Sequence, residues 1–136
     1  LQKDGVPLPP PPPPPLPEPD TVRKRVTLLK RNHTVRFNFD ESVIIPRQQE
    51  SINLFLRNLG EGKIQEVSIT GYTDDNGEGE YNQKLSEERA DAVAKFLKLT
   101  GIGADRVIVR GAGMLIGGRR ELNRRVEIQV VMIREY

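Results

Sequence analysis

Two residues of opposite charge and one amide stand where this chain has little reason to place them. Asp74 closes the alternation Val67-Ser68-Ile69-Thr70, and Asn82 and Arg89 fall inside the apolar face of the stretch that follows, EYNQKLSEERADAVAKFLKL. At about 100° per residue, Tyr81, Leu85, Ala92, Val93 and Phe96 share one stripe roughly 120° wide. Lys84, Glu87, Glu88, Asp91, Lys95 and Lys98 lie opposite, on what reads as the solvated face. Burying an unpaired guanidinium costs several kcal/mol, so Arg89 needs an anion or an opening to solvent. One answer is a purely structural ion pair with Asp74. The other is a cleft beyond the carboxyl end of the strand, where ligands of open α/β sheets bind and where Asp40 closes its own strand in the same way. There a guanidinium takes a carboxylate in a planar fork and an aspartate takes an ammonium. Such a site reads a free amino-acid head group.

Other chemistries fit the stretch less well. Asp74, Asn76, Glu78, Gly79 and Asn82 occupy positions 1, 3, 5, 6 and 9 of a calcium loop at 74–85. Position 12 is Leu85, where a bidentate glutamate must stand, and a strand precedes the loop. A glycosidase pair of Asp74 with Glu78 or Glu80 needs one carboxyl group in a desolvated pocket, yet both glutamates flank glycines in a polar turn. The chain has no cysteine, its single histidine is His33, and no histidine–nucleophile pairing offers another hydrolytic set. GAGMLIGG lacks both G-x-G-x-x-G and G-K-[ST] and opens no helix, so it is not a phosphate loop. Neither a metal nor a cofactor is expected, and the chain does not read as an enzyme.

The elements that must position these residues follow from periodicity. Val35, Phe37 and Phe39 alternate with Arg36 and Asn38, predicting a strand that ends at Asp40. Pro46 suits the first turn of a helix carrying Ile52, Phe55, Leu56 and Leu59, with Gly60 as its stop. Val67 and Ile69 mark a second strand running into Gly71, and a helix from about Glu80 to Leu99 closes at Gly101. Val107–Val109 is a third strand, GAGMLIGGRREL a glycine-rich loop, and Val126, Ile128 and Val130 a fourth strand. The order β-α-β-α-β-β implies two parallel crossovers and leaves the last two strands free to pair antiparallel. The fold class is therefore an α/β (α+β) two-layer sandwich, a mixed sheet with helices packed on it.

Composition divides the chain in two. Residues 1–20 hold 10 of the 11 prolines, and VPLPPPPPPPLPEPD reads as a polyproline tether spanning about 35–40 Å, ahead of an SH3 or WW ligand. Residues 21–136 form one domain. Net charge is only +2, from 21 basic and 19 acidic residues, which argues little for a polyanion partner. TVRKRVTLLKRN packs five basic residues into the nine positions from Arg23 to Arg31, but no aromatic residues interleave for base stacking, so no nucleic-acid partner is expected. An edge strand or linker end is the simpler reading. No apolar run reaches the ~18 residues of a spanning helix. The chain begins at Leu1 without a basic and then apolar leader, so any export signal or membrane anchor is expected upstream.

FNFDES, GYTDDNG, YNQKLSEERADAVAKFL, GADRVIVRGAG and ELNRRVEIQV, in this order from about Val35 to Val131, resemble the OmpA-like C-terminal, peptidoglycan-associated domain family. The resemblance implies a β-α-β-α-β-β sandwich that binds the peptide stem of peptidoglycan noncovalently, gripping meso-diaminopimelate by its free amino-acid end. It carries the family's two main contact residues onto Asp74 and Arg89, its helix asparagine onto Asn82, and the first arginine of N-R-R-V onto Arg124. Thr73 and Asp40 match supporting positions. The implied setting is the periplasm, attached to the outer membrane through a missing N-terminal part, with homo-oligomerisation left open. A wall-acting glycoside hydrolase using Asp74 with Glu78 or Glu80, and the calcium loop, stand as the alternatives.

Overall fold

The computed structural model describes residues 7–15 and 25–135. Residues 7–15, within the proline run, are exposed and carry no helix or strand. The expected tether boundary at residue 20, together with Arg23 and Lys24 of the basic run, lies outside the described residues.

The elements are β1 (Val26–Arg36), α1 (Pro46–Arg57), β2 (Lys63–Thr73), α2 (Gly79–Leu99), β3 (Arg106–Met114), a helical turn α3 (Arg120–Asn123) and β4 (Arg125–Glu135). They build one four-stranded mixed sheet in the order β1-β4-β2-β3, so the expected α+β sandwich is the observed class. β2 pairs parallel with β3 and antiparallel with β4, while β1 pairs antiparallel with β4. The last two strands do not pair with one another. Instead β4 inserts between β1 and β2. Its inward residues Val126, Ile128, Val130 and Met132 are the most completely buried row in the sheet, which a central strand satisfies and an edge strand cannot. β1, with Lys30 and Arg31 along it, takes the edge, where charge guards against further pairing.

Element boundaries and one buried face differ from the sequence reading. β1 ends at Arg36 rather than Asp40, because after the Phe37 N–H bonds to the Arg124 carbonyl at 2.9 Å the chain turns. Phe39 is then 58% exposed, and Asp40 adopts φ 58°, a left-handed conformation that aspartate tolerates better than most residues. GAGM is not loop but the end of β3, and Arg120–Asn123 adds a helical turn. Finally, the buried face of α2 is Asn82, Leu85, Ser86, Arg89, Ala90, Val93 and Leu97, while Tyr81 is 52% exposed. The contact is centred on small residues because the strands beneath are glycine. A Cβ on Gly71 would lie 2.1 Å from the Ser86 carbonyl oxygen, and one on Gly111 2.5 Å from the Glu87 nitrogen. With α2 this close to the strands, Arg89 lies on its buried face.

Candidate functional site

A cleft of about 270 Å3 opens past the C-terminal end of β2. Phe39 and Asp40 line it from the turn after β1, Thr73, Asp74, Asn76 and Gly77 from the end of β2, and Arg124 from the start of β4. Tyr81, Asn82, Leu85 and Arg89 complete it from α2. All the residues singled out in the sequence, Asp40, Thr73, Asp74, Asn82, Arg89 and Arg124, therefore meet in one place.

Arg89 is 1% exposed and forms no ion pair with Asp74. Its guanidinium is caged by backbone: Nε donates to the Glu41 carbonyl at 2.8 Å, Nη1 to Tyr72 at 3.0 Å and Nη2 to Asn38 at 3.1 Å. The Phe37 ring lies 5.4 Å beneath it. Burial pulls its pKa below the ordinary value, against the attraction of Asp74 and with the repulsion of Arg124. A guanidinium has five N–H groups, so one on each terminal nitrogen is left without an acceptor among the described residues. Two unused N–H groups on neighbouring nitrogens can meet one carboxylate.

Asp74, 4% exposed, is paired instead with Arg124, whose Nη1 lies 3.2 Å from Oδ2. Its Oδ1 accepts the Asn76 N–H at 3.0 Å. The purely structural Asp74–Arg89 ion pair, one of the two answers the sequence left open, does not form, because insertion of β4 brings Arg124 to the end of β2 as the partner of Asp74. Arg124 also donates through Nε to the Phe37 carbonyl at 3.3 Å. Thr73 turns inward and donates to the Asp74 carbonyl at 2.9 Å, which fixes the chain as it leaves β2. The Asn82 amide donates to the Asn76 carbonyl at 2.8 Å, holding the loop 74–78 against α2. Its Oδ1 has no donor among the described residues.

Sequence reasoning missed Tyr81, which it placed on the apolar stripe. Its hydroxyl donates to Asp40 Oδ1 across the mouth of the cleft, and that hydrogen bond raises its pKa. The available signal was its adjacency to Asn82 at the first turn of the helix, where a polar tip can reach past the sheet. A second Asp–Arg pair, Asp75 with Arg120 at 3.0 Å, ties α3 to the same loop.

The rival readings gain no geometry. Glu78 and Glu80 are exposed and do not line the cleft. Among the described residues no three histidine, aspartate or glutamate side chains converge as a metal group. A larger hollow, about 1020 Å3, lies at the other end of the sheet around Val26, Gly60–Lys63 and Ile133–Glu135. None of the buried polar side chains reaches it, whereas Thr73, Asp74, Asn82 and Arg89 all gather at the smaller one. Chemistry, not volume, picks out the site. Two carboxylates and two guanidiniums in one small cleft suit a ligand that itself carries one charge of each sign.

The OmpA family model matches residues 36–126. The chain is 32% identical over 115 residues to outer membrane protein P5 of Haemophilus influenzae, covering 73% of this chain and 33% of that protein. It is 38% identical over 92 residues to outer membrane protein A of Serratia marcescens, covering 66% of this chain and 25% of that protein. The chain thus spans a third or less of the length of these relatives. Among solved structures, the OmpA-like domain of FopA1 from Francisella tularensis is similar with a TM-score of 0.60 and 25% identity, over 83% of this chain and 82% of that one. The peptidoglycan-associated lipoprotein of Burkholderia pseudomallei is similar with a TM-score of 0.56 and 26% identity, over 71% of this chain and 88% of that one.

Proposed function

The chain belongs to the OmpA family, and from that premise we propose that it binds peptidoglycan noncovalently through the free amino-acid end of diaminopimelate in the stem peptide. The observation that carries this reading is the Arg89 fork, with two unused N–H groups, standing in a cleft beside Asp74 and Asp40. The ligand carboxylate takes the fork, with Arg124 beside it. The ammonium takes Asp74 and Asp40, which line the same cleft. Asn82 Oδ1 and Thr73 orient the head group. A lipoprotein described as peptidoglycan-associated shares the fold, which supports the wall as the partner.

Charge-assisted hydrogen bonds each contribute about 1.5–3 kcal/mol, offset by desolvation and lost ligand freedom. A single stem therefore binds weakly, roughly in the micromolar to millimolar range. Many equivalent stems on one polymer raise the effective affinity. In this reading residues 1–20 are the tether and residues 21–136 the binding domain of a longer outer-membrane protein in the periplasm. Deleting residues 1–20 leaves stem affinity unchanged. Binding proceeds without turnover, so incubated sacculi release no muropeptides.

Co-sedimentation with purified sacculi tests the reading. Wild type pellets, free meso-diaminopimelate releases it, and Asp74→Ala stays in the supernatant while remaining folded. Calorimetry with stems bearing diaminopimelate, its distal amide or lysine sharpens it. Lysine leaves the fork without an anion, and the amide turns a donor toward it. Equal affinity for all three would move the site to the glycan or to the D-alanine end.

A further inference from the structure

The face of the sheet turned away from α1 and α2 is covered by nothing among the described residues. Cross-strand register shows what stands on it: Leu28 opposite Ile133, Lys30 opposite Val131, Arg36 opposite Arg125, and Arg110 beside Thr70. Glu66 and Glu127 on this face are already engaged, by Arg106 at 3.7 Å and Arg125 at 2.7 Å. Lys30, Arg36 and Arg110 are exposed and meet no carboxylate among the described residues. Arg36 stands directly opposite Arg125, whose charge Glu127 already offsets, so Arg36 is the cation of that pair left without a carboxylate among the described residues. At the other end of the same face, Val26 and Leu28 are 56% and 57% exposed.

Unpaired cations and exposed aliphatic side chains on one face match an anionic bilayer, which offers phosphates and an apolar boundary together. A soluble polyanion would leave Val26 and Leu28 with no partner. We propose that this bare sheet face docks on an anionic lipid surface, with Lys30, Arg36 and Arg110 on headgroup phosphates and Leu28 at the acyl boundary. The cleft lies past the C-terminal end of β2 and is walled by α2, and none of Lys30, Arg36 and Arg110 lines it. The inference does not rest on the cleft's ligand.

Vesicle co-sedimentation of the full 136-residue chain tests it. The chain pellets with phosphatidylglycerol vesicles at low salt, is released at high salt, and ignores pure phosphatidylcholine. Each cation near the surface is worth about fivefold in affinity, so Lys30→Gln/Arg36→Gln/Arg110→Gln together lose roughly a hundredfold. Leu28→Thr loses several-fold more, and all of these variants still bind sacculi if wild type does. The salt and lipid-charge series need no variant, so they decide the point even if the triple variant misfolds. Equal binding to both lipids, no binding at low salt, or a folded triple variant that binds like wild type overturns the proposal. Binding to a soluble polyphosphate as tight as to vesicles, with Leu28→Thr indifferent, overturns the lipid assignment as well.

Discussion

The cleft and the bare sheet face hold arginines in opposite ways. In the cleft, Arg89 is almost wholly buried and bonded to three backbone carbonyls with no carboxylate. On the bare face, Arg106 and Arg125 are paired with Glu66 and Glu127 where solvent reaches them. The first arrangement is costly to assemble and costly to break, because the guanidinium is taken almost wholly out of water and three partly buried carbonyls depend on it for a donor. The second is nearly free in both directions, because water replaces either partner. A charge therefore acts as structure only where the surrounding chain has excluded water, and the cleft is where this molecule does so.

Arg89→Met is the severest test of that contrast. It strands the carbonyls of Asn38, Glu41 and Tyr72 and should cost on the order of 3–5 kcal/mol in a urea melt. A loss under about 1 kcal/mol would mean that the cage does not hold the turn after β1. Arg89→Lys separates binding from folding. It keeps the charge but loses the fork, so sacculus binding should vanish while much of the stability survives.

Gly71→Ala comes next. Its Cβ would meet the Ser86 carbonyl oxygen at 2.1 Å, so α2 must move, at about 1–3 kcal/mol. Binding to sacculi should weaken too, since Arg89 rides on that helix. Unchanged stability and binding would show that close approach of α2 does not set the cleft.

Arg106→Gln on the bare face removes a surface pair and should shift the melt by no more than about 0.5 kcal/mol. A larger effect would erase the distinction between the two regions.

The shallowest effect is borne by pH. His33 on β1 meets Ser51 Oγ at 3.0 Å and stacks on Phe55 with centroids 4.9 Å apart. Burial lowers its pKa below the ordinary 6.5. Below that value the unfolded chain takes up a proton that the folded chain refuses. This contribution is therefore complete above pH 6.5 and falls away as the pH drops toward the folded pKa. Melting temperatures at pH 7.5 and 5.5 should show the decline, and His33→Gln should flatten it.

Much of the cleft was legible because helical periodicity is a local property. Asn82 and Arg89 stand out against their neighbours with no knowledge of the rest of the chain. Asp74 stands out because an apolar alternation stops there. The element order was legible for the same reason, and glycine and proline marked most of the ends. What was not legible was any pairing across distance. Asp74 and Arg124 are 50 residues apart and meet only because β4 enters the middle of the sheet. No local pattern distinguishes that insertion from a hairpin between the last two strands. Tyr81 was misread because a tyrosine near an apolar stripe is hydrophobic by pattern, and only the turn at Asp40 gives its hydroxyl a partner.

The sequence by itself determined the order of the four strands and the two long helices, that a guanidinium and an amide fall on an apolar helix face, and that a carboxylate stands at a strand end. These follow from side-chain periodicity and from the cost of burying charge, both of which act within a few residues. The tertiary structure alone decided that Arg89 is caged by carbonyls and not paired with Asp74. It also decided that Arg124 supplies the counter-charge, and that two Arg89 N–H groups are left without an acceptor among the described residues. Those outcomes depend on how closely α2 lies on Gly71 and Gly111 and on which strand fills the centre of the sheet. Both are settled by packing between segments far apart in the chain, where the burial of β4 and the missing side chains of two glycines outweigh any local preference.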